Sequence, residues 1–356
     1  MKKVHNFSAG PCILPPSVIE GSAAAIQEFD GMGLSLIEIS HRSKNFERVM
    51  DEARQLVKDI LNLEDRYEVL FLQGGATLGF YMVPLNILKE GGKAAYANTG
   101  VWASGAIKEA KLVGSIDVVT DSSESNHNHI PAVPNLEGYD YFHFTSNNTI
   151  YGTQYQTMPK VNVPLVCDMS SDIFSKEFNA NDFSLIYAGA QKNMGPAGAT
   201  LYIVDKEMLG KTGRKLPSYL DLASHISKDS MANTPPVFSV YASMLMLRWI
   251  KENGGLKGME IHNRAKQELF YAELDRNSMF HGHSVPESRS WMNPTFRLNN
   301  EEHAAAFDAM WKEAGISGIA GHRSVGGYRA SMYNALPLES VQVLVDVMKE
   351  FERKNG

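Results

Sequence analysis

Three positions in this 356-residue chain join a reactive or anion-holding residue type to the end of an apolar run. VPLVCDMSSD puts Asp168 at the carboxyl end of such a run, where open α/β sheets present ligand-binding groups. FSLIYAGAQKNMGPAG carries Lys192 on a glycine-rich turn after the next run. A lysine at the mouth of a buried strand loses solvation and becomes a nucleophilic amine. FLQGGATLGF sets Gly74 and Gly75 between an apolar run and a helix-like segment. Backbone amides at such a helix N-terminus, beside glycines that permit close approach, form a phosphate cradle.

Each residue alone has a structural alternative: a turn-capping Asp, an exposed loop Lys, a glycine turn with no ligand. Together they form the constellation that pyridoxal 5'-phosphate needs. The lysine makes the Schiff base, the carboxylate keeps the pyridine nitrogen protonated, and the helix terminus holds the phosphate. Trp102, after the Asn98-Thr99-Gly100 turn, is placed to stack on the ring, although burial as core is the default for a lone Trp. A dinucleotide fold would place an acid at the end of the second strand; here the run ends in Ala97-Asn98, which disfavours a nicotinamide dehydrogenase.

Strands must deliver these groups. Seven short runs begin at Tyr67, Lys93, Ser115, Tyr139, Val163, Phe183 and Ala199. Most are continuously apolar, as expected of strands buried on both faces of a mostly parallel sheet. VWASGAIKEAKLVG has the length and character of a crossover helix. After Pro235-Pro236 come a helix closed by Gly254-Gly255, with Met244, Leu247 and Ile250 as its core stripe, and a second from Leu256 to about Asn277. From Met292 a strand, a helix, a strand region over Gly315 to Tyr333 and a final amphipathic helix from Leu338 form an α+β module; the pattern change puts a break near Asn277.

Composition narrows the function classes. Lys plus Arg is 34 against 40 Asp plus Glu, giving a net charge of -6, which does not support whole-molecule attraction to nucleic acid or anionic membrane. The two cysteines, Cys12 and Cys167, cannot build a disulfide framework and point to the reducing cytosol. Asn6, Ser8 and Gly10 interrupt what would be the apolar core of a signal peptide behind Lys2 and Lys3, and no stretch approaches about 18 uninterrupted apolar residues. A cytoplasmic protein is expected. His127 with His129 and His281 with His283 are too closely spaced and lack companion ligands, so no metal is expected.

Nearly end to end, the chain resembles the phosphoserine aminotransferase family in the class V branch of the aspartate-aminotransferase-like, fold type I enzymes. The resemblance rests on NFSAGP from Asn6, ISHRSKNF from Ile39, GGA from Gly74, NTGVW from Asn98, SNNTIYG from Ser146 and DMSSD from Asp168. It continues in GAQKNMGPAG from Gly189, NTPPVFSVY from Asn233 and GHRSVGGYRASMYNA from Gly321. It implies an α/β fold: a large cofactor-binding domain at 15–260 with a mostly parallel seven-stranded sheet flanked by helices, and a small α+β domain from 1–14 and 261–356.

The resemblance also implies roles. Lys192 would be the Schiff-base lysine, Asp168 the partner of the pyridine nitrogen and Trp102 the stacking ring. Gly75, Ala76, Thr77, Thr149 and Gln191 would hold the cofactor, with Asn233 and Thr234 reaching across from a second subunit of a homodimer. His41 and Arg42, and His322 with Arg323, would gather the substrate phosphate or the distal carboxylate of glutamate, and Arg329 would clamp the α-carboxylate. Arg forks match both anions, and phosphoserine and glutamate carry an anion at each end. Thr77 and Ala9 stand where some members carry Arg and Ser.

The reaction so implied is reversible ping-pong transamination between L-glutamate and 3-phosphohydroxypyruvate, giving 2-oxoglutarate and O-phospho-L-serine, in serine biosynthesis. 4-Phosphohydroxy-L-threonine of pyridoxine biosynthesis is a second substrate of relatives. The alternatives are another class V transaminase, a desulfurase, for which neither cysteine context fits, and a non-catalytic protein retaining the phosphate pocket.

Overall fold

The computed structural model describes residues 4–323 and 325–356; Lys2, Lys3 and Ser324 lie outside the described residues. All seven expected runs are strands of one sheet: β1 Tyr67–Leu72, β2 Lys93–Asn98, β3 Ser115–Asp121, β4 Phe142–Thr145, β5 Leu165–Asp168, β6 Leu185–Gly189 and β7 Thr200–Asp205. Their order is β1-β7-β6-β5-β4-β2-β3. The five strands from β6 to β3 run parallel, while β7 lies antiparallel to both β1 and β6.

Every residue of β4, β5, β6 and β7 is buried, because helices cover both faces. Side-chain alternation sorts the strands into two cores. Phe71, Phe142, Cys167 and Leu201 join one core with helices Pro16–Gln27, Lys44–Leu61 and Val237–Glu252. Leu70, Tyr96, Val166 and Tyr202 join another with helices Gly75–Ile87 and Val101–Ala110.

Helix Lys44–Leu61 shows how local sequence sets an element. Ser43 accepts the Phe46 amide at its start, and Phe46, Val49, Met50, Ala53, Leu56 and Val57 fall on one face. It ends at Asn62, which adopts the left-handed conformation with φ 49°.

A third core gathers Phe7, Phe270, Phe280, Phe296, Phe307 and Phe351. Over it lie an antiparallel sheet of Phe280–Gly282, Thr295–Leu298 and Tyr328–Arg329, and helices Ala304–Glu313 and Leu338–Asn355. The chain's beginning belongs here, since His5–Asn6 pairs in parallel with Ile316–Ser317. The pattern change near Asn277 marks only the end of helix Gly255–Arg276; this core already takes Phe270, Tyr271 and Leu274 from that helix. Gly254, left-handed with φ 91°, closes the preceding helix just after its C-cap Asn253, donating to the Lys251 carbonyl, and also caps the start of the next one. Among the described residues, no helix is long and apolar enough to cross a membrane.

Candidate active site

Asp168 is the last residue of β5 and only 3% exposed. Its Oδ1 accepts the Ser170 amide at 2.9 Å and the Ser170 hydroxyl at 2.5 Å, so the turn after the strand closes on the carboxylate. Burial pushes the Asp168 carboxyl above the usual range, while the Ser170 hydroxyl and the Lys192 charge pull it back.

Beside β5, strand β6 ends at Gly189 and turns into Ala190, Gln191 and Lys192. Burial pushes the Lys192 amine below the ordinary lysine range; Asp168 opposes that shift and Arg329 adds to it. The site therefore holds an acid and an amine whose proton affinities both move toward neutrality.

At the end of β1, Gly74 and Gly75 have φ of 101° and 64° and lead directly into helix Gly75–Ile87. A Cβ at Gly75 would meet nothing within 4 Å, and the first turn carries backbone amides without intrahelical partners. At the end of β2, Gly100 is obligatory: a Cβ there would collide with the Asn148 side chain. That close approach sets Trp102, whose Nε1 donates to Thr149 Oγ1 at 2.9 Å and whose ring centre lies 5.8 Å from Lys192 Nζ. Arg329 comes from the small antiparallel sheet, and its Nη1 donates to the Thr149 main-chain oxygen at 2.7 Å.

These groups line one cavity of about 300 Å³. Of the residues expected from sequence, Gly75, Ala76, Thr77, Trp102, Thr149, Asp168, Gln191, Lys192, His322 and Arg329 are in its wall. His41, Arg42, Arg323, Asn233 and Thr234 of the same chain are not. Arg323 is exposed, and Asn233 and Thr234 sit against Gln73, which donates to the Thr234 carbonyl at 3.1 Å. His41 and Arg42 lie in the turn before helix Lys44–Leu61, with His41 Nε2 buried and without a hydrogen-bond partner among the described residues.

The wall also holds Thr145, Asn147, Ser170 and Ser171, which the sequence reading did not single out. Only Ser170 carried a signal, two positions after a strand-ending Asp, where Asx turns form. Two buried polar atoms in the wall, Thr145 Oγ1 and Arg329 Nε, lack partners among the described residues. Buried polar atoms of this kind call for a polar occupant. An acid, an amine, an aromatic ring and a helix N-terminus converging on one space fit pyridoxal phosphate and an anionic substrate.

Residues 4–344 match the family described as aminotransferase class-V. A phosphoserine aminotransferase of Flavobacterium psychrophilum is 62% identical over 99% of this chain and 100% of its own. The solved phosphoserine aminotransferase from Bacillus circulans subsp. alkalophilus is 43% identical, with a TM-score of 0.96 over 100% of both chains. The PLP-bound phosphoserine aminotransferase from Trichomonas vaginalis is 33% identical, with a TM-score of 0.92 over 98% of this chain and 100% of that one.

Proposed function

The chain belongs to the class-V aminotransferase family, and we propose that it carries the phosphoserine aminotransferase activity. It transfers the amino group reversibly between L-glutamate and 3-phosphohydroxypyruvate, giving 2-oxoglutarate and O-phospho-L-serine in two half-reactions. The observation that carries this reading is the convergence of Asp168 and Lys192, from neighbouring strand ends, on a cavity also lined by Gly75, Trp102 and Arg329. Pyridoxal phosphate, when bound, supplies the electron sink that makes the substrate Cα–H acidic.

The chain's own residues do the rest. Asp168 would accept a hydrogen bond from the pyridinium N–H and so keep that nitrogen protonated, and the amides at Gly75, Ala76 and Thr77 with Gln191 would hold the phosphate. Trp102 would stack on the ring and is itself fixed by Thr149. Lys192 Nζ would hold the cofactor, and its amine is the group positioned to take the proton from the substrate Cα. Arg329 forks onto the α-carboxylate. His322, whose proton affinity is lowered by burial and by the Arg329 and Arg323 charges, meets the distal anion with Arg323.

We read 15–260 as the large cofactor-binding domain and 1–14 with 261–356 as the small one; the packing of Phe7 among Phe270, Phe296 and Phe351 supports that division. The working form is a homodimer in the cytoplasm. Its partner supplies Asn233 and Thr234, and also His41 and Arg42, none of which lines the cavity of its own chain. Exposed Met32, Leu34 and Ile37, just ahead of His41, give that turn an apolar surface suited to a second copy.

A desulfurase needs a nucleophilic thiolate. Cys167 is fully buried, and Cys12, whose thiol donates to the Lys192 carbonyl, is pushed up to about 12 by burial. The test is the visible spectrum of purified protein before and after O-phospho-L-serine, with L-alanine and L-cysteine as controls. Conversion by phosphoserine alone supports the assignment; a coloured protein indifferent to it indicates another class V substrate.

A further inference from the structure

Behind Asp168 lies a hydroxyl that the proposed chemistry leaves without a task. Ser170 Oγ donates to Asp168 Oδ1 at 2.5 Å and accepts the Gly189 amide at 3.2 Å. Gly189 ends β6, whose continuation carries Lys192. One hydroxyl therefore ties together the two strand ends that present the acid and the amine.

Resting on the pyridoxal-phosphate reading above, we propose that Ser170 is a positioning residue for Asp168. It occupies Oδ1, leaves Oδ2 to the cavity, and keeps the carboxylate ionised so that the pyridine nitrogen retains its proton. A simple turn role needs only the Ser170 amide, which reaches Oδ1 at 2.9 Å; the hydroxyl bond is additional and points its acceptor side at the other strand.

The electrostatics around the carboxyl make that bond consequential. Burial raises its proton affinity, and the Ser170 hydroxyl is the largest influence pulling it back, ahead of the Lys192 charge. Asp172, on the same turn, is a second buried carboxyl whose own affinity burial raises, and Asp168 adds to that rise. Cys167 on β5, Tyr187 on β6 and Tyr202 on β7 are all held neutral by burial and supply no compensating cation. A hydrogen bond to a buried charged group therefore decides how much of the carboxylate form survives.

The test uses the full-length protein loaded with pyridoxal phosphate carrying ¹⁵N in the ring. In Ser170→Ala at pH 7 the ring-nitrogen resonance moves from the pyridinium position toward neutral pyridine, because the carboxylate now competes better for the shared proton. Ser170→Thr, which keeps the hydroxyl, restores it. In cofactor-stripped full-length protein, the infrared carboxyl transition that Asp168→Asn removes shifts up in Ser170→Ala by about one pH unit, a tenfold change in ionisation. Ring-nitrogen and carboxyl signals identical to wild type in Ser170→Ala overturn the proposal. If that variant does not fold, Ser170→Cys, a weaker donor, must move both signals in the same direction, and no movement is equally fatal. Wild-type protein that holds no cofactor would overturn the functional reading and this inference together, whereas a loaded protein with silent serine variants overturns this inference alone.

Discussion

Arg329 and Thr149, 180 positions apart in the chain, are joined by a 2.7 Å hydrogen bond from the guanidinium to the main-chain oxygen. The same threonine receives Trp102 through its hydroxyl. One residue thus holds both Trp102, proposed to stack on the cofactor, and Arg329, proposed to clamp the substrate, through two separable atoms.

Thr149→Val removes only the hydroxyl. The variant should bind the cofactor about fivefold more weakly than wild type, the worth of one neutral hydrogen bond of about 1 kcal/mol. The KM for glutamate should stay within twofold, because the carbonyl that holds Arg329 remains. Spectroscopic titration of stripped protein and steady-state kinetics measure the two.

Arg329→Ala should raise the KM of both phosphoserine and glutamate by at least about tenfold, since charge-assisted bonds contribute roughly 1.5–3 kcal/mol. A loss confined to one donor would move Arg329 to the distal anion.

Lys192→Ala should lower turnover by at least about a thousandfold, the upper part of the range for a positioned acid–base group. Asp168→Asn should still bind cofactor yet lose about a hundredfold or more in kcat, since a neutral amide cannot stabilise a pyridinium. Unchanged kinetics in either variant would remove that residue from the mechanism.

Cofactor uptake by stripped protein requires the unprotonated Lys192 amine, so its rate should rise with pH to a plateau. The midpoint should lie below the ordinary lysine range, because burial lowers the amine's proton affinity. Asp168 opposes that lowering, so Asp168→Asn should move the midpoint to lower pH; Arg329 adds to it, so Arg329→Ala should move it to higher pH. Stopped-flow absorbance over a pH series reads all three.

The proposed sharing of sites between two subunits makes a quantitative forecast about mixtures. Lys192→Ala and a Thr234→Glu variant, each inactive alone, should regain about a quarter of wild-type activity when refolded together in equal amounts. Half the dimers are hybrids, and each hybrid has one intact site of two. No recovery would place Thr234 outside the partner's site.

Much of this was legible because buried strands carry continuous apolar runs, and the strand-ending positions of Asp168 and Lys192 follow from those runs. Which strands are neighbours was not legible: periodicity in Tyr67–Leu72 and Thr200–Asp205 records burial and contains nothing about pairing. Asn277 misled because helix Gly255–Arg276 crosses from one core to the next without a change in composition at the crossing. Thr145 and Ser171 are small hydroxyl residues whose place in the wall depends on strands meeting from distant parts of the sequence.

The position of β7 also governs when the site can exist. Among the described residues Tyr67–Leu72 pairs in the sheet only with Thr200–Asp205, so the strand that leads into Gly74–Gly75 has no edge to join until the chain has emerged as far as Asp205. On a ribosome, β1 waits with its apolar residues unpaired while β2 to β6 come out, and a single late antiparallel strand then docks it. Substitutions that weaken β7 should therefore appear first as lost yield and aggregation during synthesis, with the molecules that do mature retaining a normal site.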